Sequence, residues 1–354
     1  MRILAIETSC DETAASVVEF LNNKVAVLSN IISSQIEIHK KYGGVVPEVA
    51  AREHVVNILP VINEALEKSK SDKKNIDAIA VTVGPGLITS LLVGIETARS
   101  LAFAWDLPLI PVNHIGGHIY ANFIGANFDK NKKTVFPAIV LTVSGGHNLL
   151  VLMSGHNKFK VIGETLDDAA GEAFDKAAAM LNIGYPGGPI ISAEAAKFKI
   201  QNLSASRQGS KLKIALPRPM LHKKNFDFSF SGLKTALLYQ IQKDKTWKER
   251  ISEYAYEFQQ AVIDVLVGKT LKAAKEYKAK TIMLAGGVSA NKELRKQLEE
   301  AAGSHIPDFE FKNPDLQYTT DNAAMIGAAA CFLAKQKKFV KYDRIKVSPN
   351  LELV

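Results

Sequence analysis

The chain has 354 residues, 47% hydrophobic and 23% charged with no low-complexity tract, which fits a globular protein long enough for two domains. No apolar run is long enough to cross a bilayer, the opening "MRILAIET" does not read as a signal peptide, and Cys10 and Cys331, the only cysteines, form no C-x-x-C motif, so a cytoplasmic protein is expected. The net charge of +8 is uneven: residues 197–250 hold 13 Lys/Arg against 3 Asp/Glu, a balance of +10.

In chain order, "RILAIET" (2–8) reads as a strand, "SCDET" as a turn and "AASVVEF" as a returning strand. Residues 48–69 are amphipathic, with a break expected near Pro60. "DAIAVTV" (77–83) reads as a buried strand, followed by "GPG" and a helix from about Ile88 to Trp105. "LPLIPVN" (107–113) is another strand, and "HIGGH" opens the next helix. The strand–turn–strand pattern of the start recurs at 138–153 as "AIVLTV", "SGGHN" and "LLVLM". That recurrence predicts two related α/β halves. "DDAAGEAFDKAAAMLN" reads as a helix stopped by "GYPGGP", and a long helix follows around 249–277. "TIMLAGG" (281–287) is a strand leading into the helix "SANKELRKQLEE", and a last helix begins near Asp321.

Several stretches carry residues suited to chemistry. His114 and His118 are spaced to share one helical face, as two imidazoles on one metal require. Equally, one histidine could cap the helix and the other pack beneath it. Ile115 stands where the zinc-protease pattern needs glutamate, which counts against peptide hydrolysis. Asp321 is either a third ligand or the N-cap of its helix. "VGPGL" (83–87), "VSGGHN" (143–148) and "AGGVSAN" (285–291) are glycine turns after apolar strands, able to bring backbone N–H groups to phosphate oxygens. None matches a P-loop or a Rossmann fingerprint. In "GEAFDK", Glu172 and Asp175 form either a solvated face or a carboxylate that accepts from ribose hydroxyls, Asp175 being the better candidate. "DFSFSGLKT" (227–235) is either core with an N-cap at Ser231, or a surface for a base and phosphates. The basic segment is either a solvated face or a docking surface for a polyanion.

Taken as an ordered set, "IETSCDETAASVV", "YGGVVPEVAAREH", "GPGLITSLLVG", "NHIGGHIYA", "VSGGHNLLV", "DDAAGEAFDKAAAML", "YPGGP", "FSFSGLKTA", "AGGVSANKELR" and "YTTDNAAMIG" resemble the tRNA N6-adenosine threonylcarbamoyltransferases of bacterial type, the TsaD family. The resemblance runs from residue 3 to about 330, and the last twenty or so residues carry no motif of it. It implies a two-lobed fold of the actin, sugar-kinase and heat-shock-chaperone ATPase class, each lobe on an RNase-H-like sheet with a nucleotide in the cleft. One lobe would take 1–113 plus about 305–354, and the other 114–304 with the basic insertion at about 197–250. By motif, His114, His118 and Asp321 would hold one metal ion per subunit, iron(II) by family or else zinc. Thr142, Val143, Ser144, Gly145 and Gly146 would contact the adenylate, Asp175 and Gly188 the ribose, and Asn291 the nucleoside. Ser192 stands where some members have a carboxylate, and Asn113 where histidine is frequent.

The implied reaction passes threonylcarbamoyl from threonylcarbamoyl-AMP to the N6 amine of the adenosine beside the anticodon, in tRNAs reading ANN codons. Implied partners are tRNA, a separate synthase for the donor, and TsaB- and TsaE-like helper proteins, with no membrane. Lys223, Lys224 and Lys234 are candidate tRNA contacts within the basic segment. The rival readings are a metalloprotease, an ATP-hydrolysing kinase or chaperone using Asp11 or Glu12 beside Mg²⁺, and a non-catalytic nucleotide scaffold.

Overall fold

The structure, a computed structural model, describes residues 1–125, 135–204, 213–305 and 309–353. The chain divides into two compact units, Met1–Thr134 with Gly155–Phe159 and Asn313–Val354, and Val135–Ser154 with Lys160–Lys312.

In the first unit, β1 (Arg2–Glu7), β2 (Glu12–Leu21), β3 (Lys24–Ser34), β4 (Ala78–Gly84) and β5 (Leu109–Asn113) form one sheet in the order β3-β2-β1-β4-β5. The hairpin β1–β2 and the pair β2–β3 are antiparallel, while β4 and β5 add in parallel to β1. β1 and β4 are nearly continuous apolar runs because helices cover both faces of the sheet. A short α1 (Ile36–Lys40) leads to α2 (Pro47–Ser69), and α3 (Ile88–Trp105) follows β4. Leu4, Ile6, Ala15 and Val17 meet Ile58 and Ile62 of α2 and Leu91 and Ile95 of α3 in one core. The opposite face takes α10 (Ala323–Lys335), where a Cβ on Gly327 would lie 2.7 Å from Val18 and 3.3 Å from Ala5. Only glycine permits that approach.

Pro60 does not break α2, which runs on to Ser69. The proline lies on the exposed side, and His54, Ile58, Val61, Ile62 and Ala65 stay buried along one stripe across it. Burial of that stripe outweighs the lost backbone bond. The division between units falls after Thr134 because α4 (His114–Tyr120) packs on α10.

In the second unit, β6 (Ala138–Val143), β7 (Asn148–Gly155), β8 (Lys158–Glu164), β9 (Thr281–Ala285) and β10 (Glu310–Lys312) take the order β10-β9-β6-β7-β8. Again an antiparallel hairpin is extended by parallel strands, β9 on β6 and β10 on β9. The two sheets therefore share one topology, as the recurring hairpin pattern predicts. The helices are α5 (Ala170–Met180), α6 (Gly187–Ser204), α7 (Ser231–Lys243), α8 (Ile251–Glu276) and α9 (Lys292–His305). Phe174, Phe228, Phe230, Tyr254 and Phe258 are fully buried in the core they form. Among the described residues no helix is long and apolar enough to cross a membrane.

Candidate metal centre and ligand-binding turns

Buried β5 ends at Asn113, whose Oδ1 accepts from the Gly116 amide at 3.0 Å and caps α4. One turn of helix then sets His118 edge-on to His114, ring centroids 4.7 Å apart, and both are buried. Gly117 between them lets α10 come close, since a Cβ there would meet Ile326 Cδ1 at 2.7 Å. That contact brings in Asp321, which immediately precedes α10. Its Oδ1 lies 3.1 Å from His118 Nε2 and 3.6 Å from His114 Nε2. One donor atom from each of the three residues lies within 4.8 Å of the others. Asp321 is not the cap of its helix. Asn322 is, accepting from the Met325 amide at 3.0 Å.

This donor set fits a metal ion. Two imidazoles and a carboxylate form a set that zinc and iron both accept. His118 is 1% exposed, its Nδ1 has no hydrogen-bond partner among the described residues, and its Nε2 faces Asp321 Oδ1 at 3.1 Å without a well-aligned hydrogen bond. A buried imidazole left so is costly unless something coordinates it. His114 is oriented from behind: its Nδ1 lies 3.0 Å from Ser9 Oγ and 3.3 Å from Glu7 Oε2, so Nε2 is the atom turned to Asp321. Burial opposes a charged imidazole, but Asp321 and then Glu7 outweigh it and push His114 up to about 9. Burial likewise opposes ionisation of Glu7, yet His114 holds it below the usual carboxylate range. Burial, then Asp321 and Asp11, push Glu12 well up. Glu7 and Asp321 thus flank His114, and their field favours a cation there.

Glu7 and Ser9 were not among the sequence candidates. Their signal was a carboxylate at the end of an otherwise apolar buried strand, a place where charge is rare unless paired.

In the second unit, the glycines of the candidate turns divide into two groups. Gly171, Gly187 and Gly286 are tight. The Gly171 amide donates to Ser144 O at 3.1 Å, and a Cβ there would lie 2.7 Å from Gly145 Cα. Gly286, at φ +84°, lies against the Val143 backbone, bringing the "AGGVSAN" turn beside "VSGGHN" at the ends of adjacent β9 and β6. Gly187 sits on Phe174 and Asp175, its amide donating to Asp175 Oδ1 at 2.6 Å. By contrast, Gly145, Gly146 and Gly188 face open space, and no atom of the described residues lies within 4 Å of where a Cβ would stand. Burial and then Glu172 raise the Asp175 carboxyl, while the Gly187 amide pulls it the other way. Asn291 caps α9, its Oδ1 accepting from the Glu293 and Leu294 amides and its Nδ2 donating to Gln259. Thr142 is buried in β6, and Ser192 falls in α6.

Residues 26–328 match the family described as tRNA N6-adenosine threonylcarbamoyltransferase, TsaD. The chain belongs to this family. It is 48% identical over 353 residues to the tRNA N6-adenosine threonylcarbamoyltransferase of Halalkalibacterium halodurans, covering 99% of this chain and 96% of that relative. The same-named protein of Dehalococcoides mccartyi is 50% identical over 332 residues, covering 94% and 93%. Among solved structures, T. kodakarensis HypF shares the fold at a TM-score of 0.59 and 16% identity, over 97% of this chain and 48% of HypF. Component A of the Acidaminococcus fermentans (R)-2-hydroxyglutaryl-CoA dehydratase does so at 0.50 and 15%, covering 97% and 98%. These likenesses concern fold alone. With the repeated sheet topology they give the class of actin, sugar kinases and heat-shock ATPases.

The "FSFSGLK" motif of the TsaD resemblance is held by two aspartates. Asp167 Oδ1 accepts from the Phe230 amide at 2.8 Å, and Oδ2 accepts from the Ser229 and Ser231 hydroxyls, both at 2.6 Å. Ser231 is thus the first residue of α7 and not its N-cap; Asp167 supplies the capping oxygen. Asp168 takes Lys176 at 2.6 Å and Lys234 at 3.2 Å, so the Lys234 charge already has a partner. Lys223 and Lys224 are exposed on a loop whose carbonyls accept from Lys272, and buried Lys269 holds the Asn225 carbonyl at 2.9 Å. Residues 205–212 of the basic segment lie outside the described residues.

Proposed function

We propose that this protein transfers threonylcarbamoyl from threonylcarbamoyl-AMP to the N6 amine of the adenosine adjacent to the anticodon, in tRNAs reading ANN codons. The N6–C bond forms as the C–O bond to phosphate breaks. AMP leaves with the bonding pair, and the amine proton passes to solvent or to the leaving phosphate. The observation that carries this reading is the convergence of His114, His118 and Asp321 from distant parts of a chain of the TsaD family. When bound by them, one ion per subunit, iron(II) first and zinc second, supplies Lewis-acid polarisation and orients the donor.

The chain's own residues do the rest. Glu7 and Ser9 keep His114 turned toward the donor set. Gly145 and Gly146, open at the end of β6 with Thr142, Val143 and Ser144 leading to them, offer backbone N–H groups to the adenylate. Asp175, with Oδ1 held by Gly187, offers Oδ2 to a ribose hydroxyl, and Gly188 leaves room for the sugar. Asn291 sets the edge that meets the nucleoside. Lys223 and Lys224 contribute phosphate contacts to tRNA, while Lys234, paired with Asp168, contributes least. The donor comes from a separate synthase, TsaB- and TsaE-like proteins assist, and the cytoplasm is the site of action.

Mass spectrometry of tRNA nucleosides from cells depleted of this protein tests the reading. Threonylcarbamoyladenosine should fall, and a gene copy encoding wild type should restore it where one encoding His118→Ala does not. Unchanged threonylcarbamoyladenosine after depletion would overturn the proposal.

A further inference from the structure

We propose that residues 345–353 form a strap that positions the first metal-ligating histidine, and that Asn113 is the residue coupling strap to ligand. The inference rests on His114, His118 and Asp321 being the metal site. Two independent routes connect the strap to His114.

The first route passes through the "GPG" turn. The Ser348 amide donates to Val83 O at 2.8 Å, and the Gly86 amide donates to Pro349 O at 3.0 Å, so the strap is hydrogen-bonded to the end of β4 and to the turn that follows it. Gly84, at φ +149°, has the Ser348 carbonyl where a side chain would stand. On its other side the turn presses on Ser9: a Cβ on Gly86 would lie 2.8 Å from Ser9 Cβ, and the Leu87 amide donates to Ser9 O at 2.8 Å. Ser9 Oγ in turn lies 3.0 Å from His114 Nδ1.

The second route is the Asn113 side chain. Its Oδ1 caps α4, while its Nδ2 donates to Glu352 O at 3.1 Å and Leu351 O at 3.3 Å. One amide therefore joins the start of the histidine helix to the strap. Leu353 is 8% exposed, and its Cδ1 lies 3.8 Å from where a Gly116 Cβ would be. The strap is anchored upstream by Arg99, which donates to Tyr342 O at 3.1 Å and Ile345 O at 3.0 Å, and by the buried side chain of Ile345. A ligand held from two sides loses little freedom on binding metal. One released by either change would pay that ordering cost at the moment of binding.

Two variants separate this role from simple closure of the core. Asn113→Asp keeps an oxygen to cap α4 but turns a second oxygen, in place of the donor, toward two carbonyls. Deletion of residues 349–354 removes the strap's far half. Cobalt(II) titration, followed by visible absorption at a temperature where circular dichroism shows each protein folded, reads the affinity of the site directly. Both variants should bind cobalt about 10- to 100-fold more weakly than wild type, the usual cost of losing an orienting contact. Combined, they should bind no more weakly than the worse single variant, because both act through one strap. Wild-type affinity in a folded Asn113→Asp protein overturns the inference even if the deletion does not fold. Cobalt binding by wild type that His118→Ala leaves unchanged overturns the metal reading, and the strap with it.

Discussion

Replacing Gly117 by alanine puts a methyl group 2.7 Å from Ile326 Cδ1 and 3.4 Å from Met325 Cγ, both on α10. An ordinary carbon contact is about 3.5–4.0 Å, so one partner must retreat by roughly an ångström. Ile326 is fully buried, which limits rotation of its side chain. Overpacking of this kind costs about 1–3 kcal/mol, set against about 1 kcal/mol gained by alanine over glycine within a helix. The net loss of stability should be near 1 kcal/mol. Asp321, one residue before the cap of α10, should move with that helix and loosen the donor set. Ile326→Val removes the clashing Cδ1 at a cost of about 0.5–1.5 kcal/mol on its own. In the double variant that cost should be offset, giving a favourable coupling of about 1–3 kcal/mol in a double-mutant cycle. Thermal unfolding measures the coupling, and cobalt titration of the same four proteins measures the site. Additive effects, or a Gly117→Ala protein with wild-type cobalt affinity, would refute the argument that this helix contact places Asp321.

Three further outcomes follow from the geometry. Asp175→Ala should weaken binding of an adenine nucleotide by about 1.5–3 kcal/mol through loss of a charge-assisted hydrogen bond, measured by calorimetry; unchanged affinity would return Asp175 to supporting Gly187 alone. Lys223→Ala with Lys224→Ala should lower the slope of log tRNA affinity against log salt by somewhat under one unit per contact, while Lys234→Ala should change it less; parallel slopes for all would remove the loop from the tRNA path. Burial, then Lys335, lowers His156 from 6.5 to about 4, and the ring stacks on Phe332 with centroids 4.2 Å apart. The unfolded chain therefore binds more protons than the folded one between those two values, so stability should fall as pH drops through that window. His156→Phe should flatten this acid limb in thermal unfolding followed against pH, and an unaltered limb would show that other groups cause it.

Elements that depend on local pattern were plain in the amino-acid sequence. The apolar runs of β1, β4, β6 and β9 and the i, i+4 histidines of α4 carry their own signals, and the repeated hairpin announced two sheets of one topology. Where tertiary contacts decide, the pattern ran out. Pro60 is a break signal, yet a buried stripe on both sides of it carries α2 through. Asp321 and Asn322 are both good capping residues, and only contact with α4 assigns the first to the histidines and the second to the cap. The capping oxygen of α7 comes from Asp167, far back in the chain, so no local reading of "FSFSG" could find it. The strap has no motif because much of its work is done by backbone carbonyls, which any residue supplies.

The central claim is tested most directly by incubating purified protein, its helper proteins, threonylcarbamoyl-AMP and a tRNA reading an ANN codon, then analysing the nucleosides by mass spectrometry. Wild type loaded with iron(II) or zinc should form threonylcarbamoyladenosine and one AMP per transfer, and metal-stripped wild type and His118→Ala should form neither. Equal product from His118→Ala would remove the histidine site from the reaction, and no product from metal-loaded wild type would contradict the account as a whole.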